Sequence, residues 1–391
     1  MRAYQVISAD SHAIEPPDLW QKYLPAAYAG RGPRVTTGVD GDEWVCEGLP
    51  RRPARRAMGA VARDEVRARA AAERGSTRYE TDPGDWDPDR RVEYMDRDGV
   101  DAEVLYPNYA MRVFAIPDRA LQWNACLAYN DWLADFCRAH PTQLLGIAVV
   151  PALDVDRAVK EARRARDRGM VGVLLPQDTP DGSRYSHPKW DPLWAALAEM
   201  EMPVSLHIIA SGHASANWAR DETGEDNAGV AYAVLPVRMA RAFGTFILEG
   251  VFDRHPGLRL VSAENELSWA AGFLRRLDWG YHRQRMAGDR MITCKRLPTE
   301  YWRENCHMTF IDDRDGIRLR ESIGVDRIMW SSDFPHLDSS WPESRRFLDT
   351  QLADIPDAER RQIVAENCAR LYHLDTARAG EPVGTEPRRS S

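Results

Sequence analysis

A chain of 391 residues, 43% of them hydrophobic, has ample material for a large buried core and is far from the composition of a disordered protein. Acidic residues outnumber basic ones by 60 to 52, and the formal charge of −8 gives no electrostatic footprint for nucleic acid. No apolar run approaches the roughly 18 residues needed to cross a bilayer, and the start "MRAYQVISAD" lacks the apolar region of a signal peptide. The six cysteines are scattered without a CxxC, as expected of reduced, buried thiols in a soluble cytoplasmic protein.

The first predicted strand, Val6–Ala9, runs straight into Asp10, His12 and Glu15 within "VISADSHAIEPPDLW". From about Trp20 to Asp89 no long periodic element follows, and Arg, Ala, Gly and Pro dominate. Structureless connections of that length are uncommon unless they serve a function, so this insertion (20–89) reads as a lid or a contact in a homo-oligomer. Inside it, "RRPARR" (Arg51 to Arg56) is either a solvated loop or an anion-binding patch.

Seven further strands are expected at Asp101–Pro107, Leu144–Pro151, Val171–Leu175, Pro203–His207, Leu258–Glu264, His307–Ile311 and Asp326–Asp333. Helical patterns lie between them. "DVDRAVKEARRARDRG" opens acidic, ends basic and closes on Gly, as the helix dipole and C-cap prefer. "HPKWDPLWAALAEMEM" spaces Trp190, Leu193, Trp194 and Leu197 by three and four. Repeated β-then-α alternation implies parallel strands covered by helices, and eight units close into a (β/α)8 TIM barrel. The first turn carries no GxGxxG, which argues against a doubly wound sheet. One domain is expected over 1–376, with a disordered tail over 377–391.

Alternate residues of a strand share a direction, so Asp10 and His12 project together. His207 ends the fifth predicted strand, Glu264 the sixth and Asp333 the eighth. In a barrel all these ends lie on the C-terminal rim, where barrel active sites are built. His213 and His336 are further candidates, as ligands or as acid/base groups. Asp312 and Asp313 are expected to cap the next helix.

The stretches "DSHAIEP", "LHIIASG", "GVFDRHPGLRLVSAENELSWAAGFLRRLD" and "IMWSSDFPHLDSSWP" resemble the amidohydrolase-related TIM barrels of the aminocarboxymuconate-semialdehyde decarboxylase type. The resemblance spans Val6 to about Leu374. It implies His12, His207 and Asp333 as metal ligands, with Asp10 in the other half of the first-strand pair. Two departures stand out: "SAENE" puts Glu264 where such decarboxylases usually carry a histidine, and "VGVLLPQD" lacks the lysine that bridges two metals in hydrolytic relatives.

Asp10, Glu15, Glu264 and Asp333 bring a formal charge of −4, which two divalent ions would neutralise, with Glu15 and Glu264 expected as the bridge or as ligands of the second ion; the alternative is that one of these acids only orients a histidine. Oxygen and imidazole donors without thiolate suit Fe or Mn and do not exclude Zn. The "DSHxxEP" pattern with an acid after the sixth strand is also similar to a nonheme di-iron monooxygenase branch of these barrels, that of platensimycin and platencin biosynthesis. That likeness implies two Fe(2+) per subunit, O2, an external electron donor and hydroxylation of an apolar carbon. The implied small-molecule substrate is a terpenoid or acyl compound, often a CoA thioester, in secondary metabolism and antibiotic biosynthesis. The alternative is a decarboxylase or hydrolase with one Zn2+ or Mn2+, in which His336 or His213 carries the proton. A non-catalytic barrel is the third expectation.

Overall fold

A computed structural model describes residues 4–38, 41–54, 86–211, 228–288, 292–336 and 339–374. Strand β1 (Ile7–Ala13) leads into a three-stranded antiparallel sheet of β2 (Arg34–Gly38), β3 (Gly41–Val45) and β4 (Arg52–Pro53). Seven parallel strands follow: β5 (Ala102–Pro107), β6 (Leu144–Val149), β7 (Gly172–Leu175), β8 (Val204–His207), β9 (Leu260–Ala263), β10 (Cys306–Phe310) and β11 (Ile328–Trp330). With β1 they form one sheet in the order β1-β5-β6-β7-β8-β9-β10-β11. Every residue of these eight strands is buried, because one face fills the barrel and the other lies under helices.

The sheet closes on itself at the seam between β11 and β1. His12 N–H donates to the Phe334 carbonyl at 2.7 Å, and Asp333 N–H donates to the Asp10 carbonyl at 3.0 Å. The expected (β/α)8 barrel is therefore the observed fold. Its strand ends differ from the sequence expectation by a few residues, the largest difference being β1, which continues to Ala13.

Local chemistry explains where the covering helices start and stop. Helix α1 (Leu19–Tyr23) is short. Helix α2 (Pro88–Asp98) begins with Pro88 behind an Asp87 cap that accepts from Asp89 and Arg90 N–H, and it ends on Gly99 at φ 73°. Helices α3 (Arg119–Arg138) and α4 (Val155–Asp167) are capped by the Asp118 and Asp154 side chains. In α5 (Asp191–Glu199), Leu193, Trp194 and Leu197 are buried, and Trp190 is buried just before it, as their spacing predicts. Among the described residues no helix is long and apolar enough to cross a membrane.

The described part of the insertion holds a small sheet and aromatic contacts. Trp44 of β3 stacks on Tyr109 with centroids 4.2 Å apart and an interplanar angle of 19°, and Trp20 Nε1 donates to the Ala125 carbonyl at 3.0 Å. These aromatic contacts dock the small sheet on the segment that follows β5. In "RRPARR", Arg51 donates to Glu43 and Arg52 lies in β4 opposite Trp44; Arg55 and Arg56 lie outside the described residues, as does the 377–391 tail.

Candidate metal centre

Strand β1 does not pair regularly with β5. Its register jumps between Ser8 and Ser11, so Ala9 and Asp10 together face a single partner position. Beneath the bulge, the Ser8, Ser11 and Ser332 hydroxyls lie 2.8 to 3.1 Å from one another. Ser11 also donates to Glu103, which pairs at 2.5 Å with Arg91, a guanidinium with no solvent exposure. Arg91 then donates to the carbonyls of His12, at 3.0 Å, and Phe334, at 3.4 Å. A buried ion pair thus braces the two chain segments that carry ligand-type side chains.

Above that brace, six side chains converge. One ligand atom each from Asp10, His12 and His207 lie within 4.8 Å of one another, and so do one each from His12, Glu264, Asp333 and His336. His12 Nε2 is 3.1 Å from Asp333 Oδ1, 3.7 Å from Asp10 Oδ1 and 3.8 Å from Glu264 Oε2. His207 Nε2 is 3.1 Å from Glu264 Oε2 and 3.8 Å from Asp10 Oδ1.

The tautomer of His12 follows from its other nitrogen. Nδ1 lies 2.9 Å from the Pro107 carbonyl, which can only accept, so Nδ1 carries the hydrogen and Nε2 turns its lone pair on the carboxylates. Burial, followed by the charge of His336, pushes the His12 pKa down to about 4, although Asp333 and Asp10 oppose the shift. Burial alone would raise the Asp333 carboxyl; the neighbouring His336 charge and the two imidazoles beside it hold it below its usual range.

Asp10 Oδ1, His12 Nε2 and His207 Nε2 are buried without a hydrogen-bond partner among the described residues. A buried polar atom left in this state costs about 1–3 kcal/mol. Three such atoms pointing at one spot, two of them imidazole nitrogens and one a carboxylate oxygen, are the donor set that a divalent cation takes. Thr309 Oγ1 orients this set, donating to Asp10 Oδ2 at 3.2 Å while accepting from Glu264 N–H at 2.9 Å. Glu264 and Asp333 both adopt φ 54°, a conformation side chains resist, so two carboxylates are held at some backbone cost.

Glu15, expected among the ligands, is not in either group. Its carboxylate, fully buried, accepts from the N–H groups of Asn108 at 3.1 Å, Tyr109 at 2.9 Å and Ala110 at 2.8 Å. Burial pushes its pKa up to about 7 against the pull of those donors. His213 lies outside the described residues. His336 is brought in: Nδ1 is 3.0 Å from Asp333 Oδ1, Nε2 is 3.2 Å from Asn108 Oδ1, and its ring centroid is 3.9 Å from that of His12.

Asp313 caps the following helix by accepting from Gly316 N–H. Gln177, just past β7, donates to the carbonyls of His207 at 2.6 Å and Ile208 at 2.9 Å. Sequence reasoning missed Asn108, Thr309 and Arg91. Asn108 had a usable signal, being the polar residue directly after Pro107 at a strand's C-terminal end.

A family model described as Amidohydrolase matches residues 76–374. The chain belongs to the amidohydrolase family. It is 29% identical over 313 residues to a gamma-resorcylate decarboxylase of Rhodococcus jostii (strain RHA1), covering 73% of this chain and 88% of that one. Two solved structures share its fold. An amidohydrolase from Mycobacterium avium subsp. paratuberculosis K-10 superposes with a TM-score of 0.74 at 22% identity, over 95% of this chain and 100% of that one. A 5-carboxyvanillate decarboxylase from Novosphingobium aromaticivorans, with bound manganese and 3-methoxy-4-hydroxy-5-nitrobenzoic acid, gives 0.62 at 23% identity, over 73% and 80%.

These likenesses correct the expected chemistry. The relatives the chain matches include gamma-resorcylate decarboxylases from three bacteria, and the di-iron monooxygenase with its O2, electron donor and role in antibiotic biosynthesis is set aside. The physical source of that error is the charge count. It included Glu15, whose carboxylate accepts from three backbone N–H groups and is in neither ligand group, and so called for a second cation.

Proposed function

We propose that this protein is a decarboxylase of hydroxylated aromatic carboxylates that depends on a single divalent cation, Mn2+ or Zn2+. The observation that carries it is the convergence of Asp10 Oδ1, His12 Nε2 and His207 Nε2 on one buried spot of a barrel related to gamma-resorcylate decarboxylases. Asp10, His12, His207, Glu264 and Asp333 would hold the ion. Three carboxylates and the His336 imidazolium leave a net formal charge of −2 on the cluster, which one divalent ion balances. Manganese in the 5-carboxyvanillate decarboxylase structure supports the same choice.

When bound, the ion supplies positive charge for the anionic oxygens of the substrate. Loss of CO2 from a hydroxybenzoate breaks the bond between ring and carboxylate carbon, leaves the electron pair on the ring, and requires one proton at that carbon. His336 is the group we assign to that proton. It is partly exposed at the rim, 22% by side chain, and its ring nitrogens lie beside Asp333 Oδ1 and Asn108 Oδ1, two oxygens that favour the doubly protonated ring. Asp333 orients it and stabilises its charge. Neither O2 nor an electron donor enters the balance.

Mn2+-loaded protein incubated with 2,6-dihydroxybenzoate or 5-carboxyvanillate should release CO2 and the corresponding phenol in equal amounts, with and without oxygen. Absence of both products across a panel of ortho-hydroxybenzoates, at full metal loading, rejects the assignment.

A further inference from the structure

Asparagine is among the preferred N-cap residues because its side chain accepts from the first free N–H groups of a helix. Asn108 occupies that position ahead of the 3-10 turn Tyr109–Ala115, yet its side chain makes no capping bond. The capping is done instead by Glu15, from another strand end, whose two oxygens take the N–H groups of residues 108, 109 and 110. Three donors on one buried carboxylate fix the backbone of that turn. The Asn108 amide is thereby released from local duty and set against His336 Nε2 at 3.2 Å.

The geometry points to Asn108, held by Glu15, as a positioning residue that fixes the orientation of the His336 ring. This rests on the role given to His336 above. Asp333 holds Nδ1 at 3.0 Å, and a contact on that one nitrogen does not by itself stop a partly exposed imidazole from pivoting about the bond or flipping its ring. An acceptor on the opposite nitrogen removes both freedoms, because the flipped ring would turn carbon towards both oxygens. The three segments after β1, β5 and β11 are thus tied together through one ring, which also lies over His12. Misplacing a reacting group by about 1 Å can lower a rate 10²-fold.

The test compares Asn108→Ala, Asn108→Asp and His336→Gln as full-length, Mn2+-loaded proteins on 2,6-dihydroxybenzoate. Asn108→Ala is expected to lower kcat about 10- to 100-fold with KM, manganese content and Tm near wild type. Asn108→Asp, which keeps an acceptor oxygen, should restore most of kcat. A second readout is independent of turnover: 15N spectra of histidine-labelled protein loaded with diamagnetic Zn2+ in place of Mn2+ should give one sharp set of His336 ring resonances in wild type and Asn108→Asp, and broadened or doubled ones in Asn108→Ala. Wild-type kcat and an unchanged His336 spectrum in Asn108→Ala overturn the inference, while an inactive His336→Gln in that experiment leaves the proposed function standing. If wild type itself releases no CO2, the proposed function falls, and the ring spectra alone decide the positioning role.

Discussion

Asp333 N–H donates to the Asp10 carbonyl at 3.0 Å, joining residues from opposite ends of the chain across the seam of the barrel. The reciprocal bond, from His12 N–H to Phe334, lies one step along the same seam. Backbone pairing, rather than a metal, therefore sets the spacing of the Asp10, His12 and Asp333 side chains. A pre-assembled site should bind its ion without refolding. Adding Mn2+ to metal-free protein should raise Tm, by the equivalent of about 2.7 kcal/mol when the ion stands at 100 times Kd, while the far-UV circular dichroism stays constant. His207→Ala should erase most of that rise. An equal rise in the variant would move the metal to some other site.

The Arg91–Glu103 pair beneath the site is buried on both sides. Removing one partner of such a pair leaves a charge in a low dielectric and costs about 3–5 kcal/mol. Arg91→Met should lower the urea midpoint accordingly and also weaken Mn2+ binding, since Arg91 holds the His12 and Phe334 carbonyls. The double variant Arg91→Met, Glu103→Leu should recover much of the stability and little of the metal binding. A single variant as stable as wild type would show that the pair is not needed as a brace.

The barrel could be read in the sequence because its strands are short apolar runs ending in polar residues, a pattern imposed by burial on both faces. Ligand-type residues at those ends, Asp10, His12, His207, Glu264 and Asp333, are therefore brought to one rim by topology alone. Glu15 illustrates the limit. It lies two residues past the end of β1, where strand alternation no longer dictates direction, and three N–H donors claimed it. The antiparallel sheet in the insertion was overlooked although Asp40-Gly41 is a hairpin signal in the sequence. Its strands are too short and too evenly half-buried to alternate clearly. The Arg91 brace depends on contacts with residues 12, 103 and 334, which no local pattern encodes.

Asp98 offers a pH test away from the metal. Its carboxyl accepts from Ser344 N–H at 2.8 Å and from the Ser344 hydroxyl, tying α2 to the Ser344–Gln351 helix. Burial raises its pKa from 3.8 to about 6, with Glu103 adding to the rise and the Ser344 bonds opposing it. A carboxyl whose pKa is higher in the folded state favours folding below its unfolded pKa and loses that contribution as pH climbs through the folded value. Wild-type stability should thus fall relative to Asp98→Asn between pH 4 and pH 7, by up to about 3 kcal/mol. Asparagine can keep both Ser344 contacts, because the hydroxyl can turn from donor to acceptor. Parallel stability curves for the two proteins over that range would contradict the buried, protonated Asp98.

Glu264 brings function and stability into opposition at one residue. Its φ of 54° is comfortable for glycine and costs other residues roughly 1–2 kcal/mol. Its carboxylate also crowds Asp10 and Asp333 around His12. In metal-free protein, Glu264→Gly should therefore be at least as stable as wild type, and about 1 kcal/mol more stable than Glu264→Ala, which keeps the Cβ and the strain. With saturating Mn2+ the order should reverse: wild type gains the full binding contribution, and both variants gain less because an oxygen donor is gone. Urea unfolding of the three proteins, with and without the ion, reads both effects. If Glu264→Gly is less stable than Glu264→Ala without metal, the left-handed backbone is not a stored cost; if all three gain equally from Mn2+, Glu264 does not touch the ion.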